Sequence, residues 1–576
     1  MNVKEKISSK LPKNFLVILL TVLLGASIAS TDFYTFDGHF HMSAGEHYAE
    51  DWTALTMEGS SGGLMLETYP PVAHQFLTII SYIMPIETGF NILMFVFWIA
   101  LTYNLTMLFI EYLDYDKDRF WLIFVLLFAN IGAIKKIFVY GMYPSMVGFT
   151  FGVFALRMFI KAFENNDKVS WVFFVLFYAM VGYTNTYSFL FFSLLYAMYF
   201  VSEIRLLDKS RFVKTILSVF SVFILILVGL PELVSDLFSG ALVSGNVIPH
   251  DSWYSFFEYS LEQIESWVTS DIGLASLGLF LPLFWDSEDG KLKKLYFGAL
   301  FLVSFDMFGI NFLPRIFFPG VRFMINYERF TIFAGFMFTF LLAHIIFTLI
   351  DKIDYKEVRK YFLVLFCCLF VLAHFSYLFR VHNLYNGEDP LVEEGYRQEF
   401  KDYILTFLEE KASDNYRFQT LGYGYRVTEL IRKTDVPMMD GKYYQGVPID
   451  WIINLEQEAI DRSSTSNAIE FVKRAHEVNV KYIFTFNKYR GRDYSKIMDE
   501  ANPGDWEVKE SSDIGQKEVT VWVNDGVEPI GDVEINRSKF QTVVPLGITI
   551  LSLIAVLFRK RLKQKKDSAR VYFGRN

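Results

Sequence analysis

Acidic and histidine residues that could support acid/base or metal chemistry are concentrated in residues 31–85, which contain no Lys or Arg. They are Asp32, Asp37, His39, His41, Glu46, His47, Asp51 and His74. Helical spacing brings His39, Glu46 and His47 onto neighbouring faces, where they could bind a divalent metal ion. A polar helix face in contact with water explains the same spacing. The sequence therefore leaves a metal cofactor open and assigns no metal ligand.

The elements that must position these side chains follow from cap, glycine and proline signals. Asp37 precedes an amphipathic helical pattern that extends to about Trp52, and aspartate at such a position commonly caps a helix. A Gly/Ser-rich bend follows at 59–63, and Tyr69 begins a Tyr-Pro-Pro corner before a second amphipathic segment at 72–85. Because that segment is too short to cross about 30 Å of hydrocarbon, we expect a helix on the outer membrane surface.

The composition is that of a protein that crosses a membrane many times. Of 576 residues, 53% are hydrophobic, 18% aromatic and only 20% charged, and the mean hydropathy is +0.29. Apolar runs of sufficient length predict about twelve transmembrane helices and a mainly α fold. They lie near 14–30, 89–112, 120–140, 145–163, 170–187, 188–204, 213–231, 271–285, 294–313, 330–350, 361–379 and 541–558.

The distribution of Lys and Arg predicts which side of the membrane each loop faces. Basic residues are enriched in cytoplasmic loops, and their alternation is consistent when 72–85 stays on the outer surface. The segments then assigned to the inside are 117–119, 161–168, 205–214, 291–294, 352–360 and 559–570. We therefore expect a multi-pass protein of the cell membrane with both termini in the cytoplasm.

Residues 381–540 have the mixed charge and alternating patterns of a small α/β domain outside the membrane. Strands are predicted at 417–424, 436–441 and 480–487, and an antiparallel pair at 506–511 and 518–524. The predicted organisation is a transmembrane domain at 1–380 with a large outer loop at 31–88, the outer domain at 381–540, and a final helix with a basic cytoplasmic tail at 541–576.

Four segments, in this order, resemble the C-type (GT-C) glycosyltransferases, integral membrane enzymes that take a sugar from a polyprenyl-phosphate carrier. They are Asp37-Gly38-His39, Tyr69-Pro70-Pro71, GMYPSMVGFTFGVFALRMF at 141–159 and YERFTIFAGFMFTFLLA at 327–343. The resemblance covers residues 1–350 and is closest to archaeal and bacterial members. The chain departs from the family at His39, where a second acid is usual, and at Thr184-Asn185-Thr186, where a histidine is usual.

The resemblance implies an inverting transfer of a sugar to an acceptor outside the cytoplasm, which would be a glycan, a lipid or a protein. Asp37 would accept the proton of the acceptor hydroxyl. His39 lies in the first of these motifs and Tyr69 in the second, and both are expected to bind substrate. The expected partners are a polyprenyl-phosphate-linked sugar and membrane lipids, and no nucleic acid.

Basic residues assigned to the outer side are unusual, because the positive-inside rule depletes them there. They are Lys135, Lys136, Arg315, Arg322 and Arg329. A charge near membrane depth needs a partner, and a guanidinium can bind a carrier phosphate through two parallel hydrogen bonds. Arg329 is the first choice because it lies in the family-like Glu-Arg-Phe triplet. Pairing with Glu328, Asp306 or the outer acids is the alternative.

Two other kinds of protein are consistent with the same helices. One is a non-enzymatic membrane protein or transporter, and the other is an inactive relative whose outer domain binds a partner. A transporter is expected to have ionisable residues in mid-span and repeated broken helices. Asp306 and His344 are the mid-span candidates, and the sequence shows no internal repeat.

Overall fold

A computed structural model describes most of the helical part of the chain and most of the predicted outer domain. The described residues are 38–52, 56–57, 64–65, 70–116, 119–134, 137–138, 142–231, 273–284, 290–304, 328–353, 398–413, 415–421, 430, 432–434, 436–438, 465–486, 493–501, 504–514, 517–530, 543–556 and 558. The predicted spans at 14–30 and 361–379 lie outside these ranges.

Most described residues are helical, as the composition predicts. The helices are α1 (Gly38–Glu50), α2 (Val72–Ser81), α3 (Ile86–Leu113), α4 (Phe120–Phe128), α5 (Ile131–Ile134), α6 (Tyr143–Asn165), α7 (Lys168–Thr184), α8 (Thr186–Ser202), α9 (Lys209–Gly229), α10 (Gly290–Ser304), α11 (Glu328–Asp351), α12 (Gln398–Lys411), α13 (Thr465–Arg474), α14 (Tyr494–Ala501) and α15 (Val543–Val556). The strands are β1 (Thr56–Met57), β2 (Leu64–Met65), β3 (Arg417–Leu421), β4 (Val480–Phe486), β5 (Glu507–Ile514) and β6 (Lys517–Val523).

Among the described residues, four helices are long and apolar enough to cross a membrane: α3, α6, α9 and the Ile332–Asp351 part of α11. Helices α2, α7, α8 and α15 are apolar but shorter. Along α9 the apolar side chains of Phe220 and Leu217 are 59% and 57% exposed. Apolar side chains exposed along such a helix are suited to contact with lipid.

The predicted span at 120–140 is interrupted. Helix α4 ends at Phe128, and the side chain of Asn130 accepts a hydrogen bond from the backbone of Ala133 at 2.9 Å, at the start of α5. Its amide nitrogen donates to Thr339 Oγ1 at 2.7 Å and to the Gly335 carbonyl at 3.2 Å, both on α11. A polar side chain with partners on a neighbouring helix thus ends the regular α4 segment.

Helix α6 is at the centre of the bundle, where it packs against α3, α7 and α8. Asn166 ends it in the left-handed conformation, with φ of 53°, as is common for Gly and Asn after a helix. The carboxylate of Asp167 then caps α7 by accepting hydrogen bonds from the backbone of Ser170 and Val169 at 3.1 and 3.3 Å. A two-residue turn therefore reverses the chain and holds α7 beside α6.

The two ends of the bundle differ in charge. One end contains the ends of α3, α6 and α11, and its basic side chains form ion pairs. These are Lys161 with Glu111, Arg119 with Asp351 and Lys291 with Asp114, each with 3.1 Å between nitrogen and oxygen. We call this the basic end. At the opposite end, which we call the loop end, α1 and α2 pack against each other and against the start of α3, and His41 on α1 contacts Tyr143 at the start of α6.

The part of residues 398–530 that is described contains a four-stranded sheet in the order β3-β4-β6-β5. Strand β3 is parallel to β4, and the other neighbours are antiparallel. Alternate side chains of β4 contribute to two apolar clusters, with Phe484 beside Phe407 of α12 and Ile483 beside Phe471 of α13. The strand predicted at 436–441 is reduced, in the described residues, to one bridge between Met438 and Phe418.

Candidate active site

The structure describes few of the side chains to which the sequence assigns chemistry. Asp37, Tyr69, Lys135, Lys136, Arg315 and Arg322 lie outside the described residues. Arg329 is described as the second residue of α11, without its side chain. His39 is described in full. The roles assigned to the other seven residues therefore stay predictions, and the site is built here from the elements around them.

Helix α1 is described from Gly38 to Glu50, and the cap predicted at Asp37 lies outside the described residues. The alternative that His39 lies on a helix face in contact with water is wrong, because His39 is 7% exposed, and His41 is 1% exposed. The helix lies tightly on α2: a Cβ at Gly45 would lie 2.9 Å from Leu77 Cβ. Thr78 Oγ1 donates to the Gly45 carbonyl at 2.8 Å. Close helix packing therefore holds the middle of α1 against α2.

A histidine pair joins α1 to α2. His41 Nδ1 and His74 Nε2 are 2.9 Å apart, and both side chains are buried. One ring nitrogen must carry the proton and the other must accept it, so the pair needs complementary tautomers. Burial lowers the pKa of His74 to about 3, because the buried site disfavours the charged imidazolium. His74 is therefore neutral at physiological pH.

Aromatic and amide side chains surround this pair. Tyr143, the first residue of α6, has its ring centroid 6.3 Å from that of His41, and Tyr48 stacks on His74 at 6.4 Å. Gln75 is 1% exposed. The Tyr143 hydroxyl is buried and has no hydrogen-bond partner among the described residues. The loop end thus holds buried polar side chains where α1, α2 and α6 meet, namely His41, His74 and Tyr143.

Arg432, from the region of the sheet, contacts two elements of the loop end. Its Nε donates to Oε2 and Oε1 of Glu46 on α1 at 3.2 and 3.3 Å, and its Nη2 donates to Oε1 at 3.1 Å. The same Nη2 donates to Glu87 in the first turn of α3. Burial lowers the pKa of Arg432, but the two glutamates outweigh this and hold it above its usual value. Arg432 is therefore a permanent cation bridging α1 and α3.

The proposed metal ligands do not come together. Glu46 is held by Arg432, and His39 lies close enough to Glu87 to interact with it electrostatically. Within the described ranges, no group of three or more His, Cys, Asp or Glu side chains could hold a metal ion. The described residues of α1 therefore do not fit a metal centre.

Asn185 lies in the segment Thr184-Asn185-Thr186, where the resemblance leads us to expect a histidine. Its carboxamide oxygen caps α8 by accepting hydrogen bonds from the Ser188 backbone at 2.8 Å and from its hydroxyl at 2.9 Å. Its backbone N–H closes the last turn of α7. The residue is 4% exposed, and these contacts give it a structural role between two helices.

Sequence reasoning listed His41 and His74 but gave them no joint role, and it did not find Arg432 or Glu87. The histidines are 33 residues apart, and Arg432 is 386 residues from Glu46. One signal was available: a loop with several acids and no Lys or Arg needs a cation from elsewhere in the chain. It indicates that a partner exists but not which residue provides it.

The described helices and the loop end define a multi-pass membrane protein. The sequence matches no protein-family model, and it matches none of the curated proteins with which it was compared. Among solved structures, it is similar to the arabinofuranosyltransferase AftD from Mycobacteria, with 10% sequence identity over 90% of this chain and a TM-score of 0.52. The alignment covers 40% of the AftD chain.

A second similar structure is ArnT from Cupriavidus metallidurans bound to undecaprenyl phosphate, with 11% identity over 88% of this chain and 98% of ArnT and a TM-score of 0.47. The likeness to AftD shows a shared fold, as the resemblance of the sequence motifs predicts. This chain has the GT-C glycosyltransferase fold.

Proposed function

We propose that this chain is a membrane glycosyltransferase that moves a sugar from a polyprenyl-phosphate carrier to an acceptor outside the cytoplasm. One observation carries the proposal: in a chain with the GT-C fold, the helix that follows Asp37 is seated on the loop end of the bundle by buried contacts with α2 and α6. A rigidly held start of α1 is what a catalytic carboxylate at position 37 requires, since acid/base catalysis depends on position first.

The proposed reaction is an inverting displacement at the anomeric carbon. The acceptor hydroxyl loses its proton to the Asp37 carboxylate while its oxygen forms the new glycosidic bond. The bond between the anomeric carbon and the phosphate oxygen breaks, and the polyprenyl phosphate leaves with the electron pair. His39 and Tyr69 are proposed to hold the sugar, since they belong to the family-like motifs Asp37-Gly38-His39 and Tyr69-Pro70-Pro71. A divalent ion would lower the charge on the leaving phosphate, but no step of the proposal requires it.

The carrier phosphate is proposed to bind the basic residues assigned to the loop end, with Arg329 first and Lys135, Lys136, Arg315 and Arg322 next. The course of α11 supports this choice. Its last residue, Asp351, pairs with Arg119 at the basic end. Its first turn, which contains Arg329, therefore starts nearer the loop end.

The proposed topology has about twelve transmembrane helices, with both termini and the basic end in the cytoplasm. The ion pairs at the basic end support this orientation because cytoplasmic loops are rich in Lys and Arg. The contact of Arg432 with Glu46 and Glu87 supports placing residues 381–540 on the same side as the loop at 31–88. The boundaries 1–380, 381–540 and 541–576 are part of this proposal.

The transporter alternative is weaker. Its candidate Asp306 lies outside the described residues. His344 contacts the hydroxyl of Tyr115, which follows the end of α3, and so lies towards the basic end rather than in mid-span. Nothing in the described part of the chain therefore favours an ion pathway.

The test uses the full-length protein in proteoliposomes with short-chain polyprenyl-phosphate pentoses and hexoses, and measures release of polyprenyl phosphate in the presence of glycan, lipid and protein acceptors. Asp37→Asn retains a capping side chain, so we expect an unchanged melting temperature and a loss of transfer of about 100-fold or more. Glu50→Gln, an exposed carboxylate at the other end of α1, is the matched control. Undiminished transfer by folded Asp37→Asn protein would remove Asp37 from the mechanism.

A further inference from the structure

A cavity of about 760 Å³ opens between α8 and α10 towards the basic end of the bundle. Its walls also include α3, α6 and α11, through side chains such as Leu108, Ile160 and Met337. This volume lies within the range of about 300–1,000 Å³ that is typical of ligand pockets. Its lysines lie at the basic end, and its wall extends along α11 as far as Phe333, one turn after Arg329.

Small side chains create part of this space. Gly298 on α10 and Ala197 on α8 both line the cavity. A Cβ at Gly298 would have Met337 Cε at 3.4 Å and Met198 Cε at 3.9 Å as its nearest neighbours. These are ordinary contact distances with flexible side-chain ends, so a side chain at position 298 would extend into the cavity without first displacing backbone.

The walls are suited to hydrocarbon. Phe297 and Phe301 line the cavity and are 59% and 44% exposed on α10, so its outer rim faces the surroundings of the bundle. Apolar cavities of this kind do not hold water well, and a membrane supplies hydrocarbon chains at their rim. Each methylene buried there is stabilised by the same apolar contacts that stabilise a protein core.

Two lysines lie at the end of the cavity near the membrane surface, where Glu164, outside the lining, accepts a hydrogen bond from the Tyr199 hydroxyl at 3.2 Å. Lys293 and Lys294 line it together with Ser202, Tyr112 and Tyr199, and no acidic residue lines it in the part of the chain that the structure describes. Lys294 pairs with Glu203, which lies outside the lining, and donates to the Ser202 carbonyl at 3.2 Å. The arrangement of a long apolar wall ending in lysines and tyrosines matches a lipid with an anionic head group.

We propose that this cavity binds one acyl chain of an anionic phospholipid from the leaflet at the basic end, with the lipid phosphate beside Lys293 and Lys294. The proposed head-group position is separate from the proposed carrier phosphate, because Lys293 and Lys294 lie at the opposite end of the bundle from the start of α1. It does not depend on the glycosyltransferase proposal. The bound lipid would fill the gap between α8 and α10 and hold the two helices at a fixed separation.

The experiment measures lipid retention by the purified full-length protein after detergent exchange, using native mass spectrometry and thermal shift. The probes are phosphatidylglycerol and phosphatidylcholine with identical acyl chains. We expect the wild type to retain one phosphatidylglycerol and to be stabilised by it, and phosphatidylcholine to be retained at least about tenfold less. Lys293→Gln is expected to lose this preference, whereas Lys209→Gln, an exposed lysine of α9 at the same end, is expected to keep it.

The apolar part of the site is tested by filling it. Gly298→Phe and the smaller Gly298→Leu are expected to reduce phosphatidylglycerol retention by about tenfold or more, because the new side chain excludes several methylenes of the lipid. Gly547→Phe on α15, where a Cβ meets nothing within 4 Å, is the control for a new apolar side chain. Full retention by folded Gly298→Leu protein would overturn the cavity assignment. Equal retention of both lipids, or displacement of phosphatidylglycerol by equimolar polyprenyl phosphate, would overturn the assignment of an anionic phospholipid.

Discussion

Arg432 and Glu46 are 386 residues apart in the sequence, and the guanidinium Nε lies 3.2 and 3.3 Å from the two carboxylate oxygens. The arginine side chain is 10% exposed, whereas Glu46 and Glu87 are 41% and 43% exposed. A cation with two partners thus fastens the region of the sheet to the loop end of the bundle. The contact gives the C-terminal half of the chain a physical connection to the proposed active site.

Arg432→Ala should release this connection. Both glutamates are partly exposed, so solvent screens part of the interaction, and we expect a loss of about 1–3 kcal/mol in stability. Lysine cannot reproduce the two-partner geometry, so Arg432→Lys should show about half of that effect or more. The measurement is the melting temperature together with the rate of proteolysis in residues 31–85.

The matched control is Arg474→Ala, which removes an ion pair with Glu477 at the protein surface, where such pairs contribute little to stability. A double-mutant cycle between Arg432→Ala and Glu46→Ala isolates the pair itself. Strict additivity of the two changes would show that the contact contributes nothing to stability.

The histidine pair predicts a pH dependence of stability. Burial lowers the folded-state pKa of His74 to about 3, whereas an unfolded histidine titrates near about 6.5. Between these values the unfolded chain binds more protons, so the stability contributed by His74 is complete above about pH 6.5 and is lost as the pH falls towards 3. The loss is expected to approach about 1.4 kcal/mol per pH unit.

Thermal melts of the wild type and His74→Gln at a series of pH values between 7.5 and 5 test this dependence. The wild type should lose more stability on acidification than His74→Gln, while His476→Gln, an exposed histidine, should follow the wild type. Parallel curves for wild type and His74→Gln would mean that His74 takes up its proton without leaving its buried site.

Gly45→Ala tests the seating of α1 on α2. Alanine normally stabilises a helix interior relative to glycine by about 0.5–1 kcal/mol, but here the added Cβ would lie 2.9 Å from Leu77 Cβ and 3.2 Å from Ile86 Cδ1. We therefore expect a destabilisation of about 1–3 kcal/mol from overpacking, with faster hydrogen exchange in residues 38–50. Gly547→Ala, where the added Cβ meets open space, should stabilise the protein slightly, as alanine normally does in a helix. A stabilising effect at both positions would contradict the tight α1–α2 contact.

Arg329 is predicted to bind the carrier phosphate. If its guanidinium makes two parallel hydrogen bonds, Arg329→Lys should already weaken binding of a short-chain polyprenyl phosphate, and Arg329→Ala should reduce it by about 2–4 kcal/mol. The control is Arg119→Lys, an arginine paired with Asp351 at the basic end. Normal carrier binding by Arg329→Ala with a lowered melting temperature would favour the alternative, in which Arg329 pairs with a neighbouring carboxylate.

Local patterns in the sequence predicted the helices and strands more successfully than the contacts between them. The helical residues 38–50, the short helix from Val72 and the strand from Val480 follow from periodicity, length and alternation signals. The interruption of the span at 120–140 did not follow, because it depends on hydrogen bonds from Asn130 to α11, more than 200 residues later. A periodic apolar pattern shows that a segment is buried but not which helix it contacts.

The same limit applied to the proposed site. The family-like order of motifs predicted the GT-C fold, since each motif marks one element and its place in the chain. For His39 the sequence left open a helix face in contact with water and a metal site. Its burial depends on how α1 packs on α2, which involves Gly45 and Thr78. Whether two polar residues meet is decided by packing between distant elements, which one sequence does not contain.

The contact of Arg432 with Glu46 and Glu87 also has a consequence for the order in which the protein is made. The two glutamates and all the bundle helices up to α11 emerge from the ribosome before residue 432. During synthesis the nascent loop end therefore holds two carboxylates without the cation that they contact in the finished protein. The carboxylates of the loop end are paired only after the polypeptide has been extended through α12 and β3 and Arg432 has reached them. Completion of the loop end is therefore a late event in biogenesis.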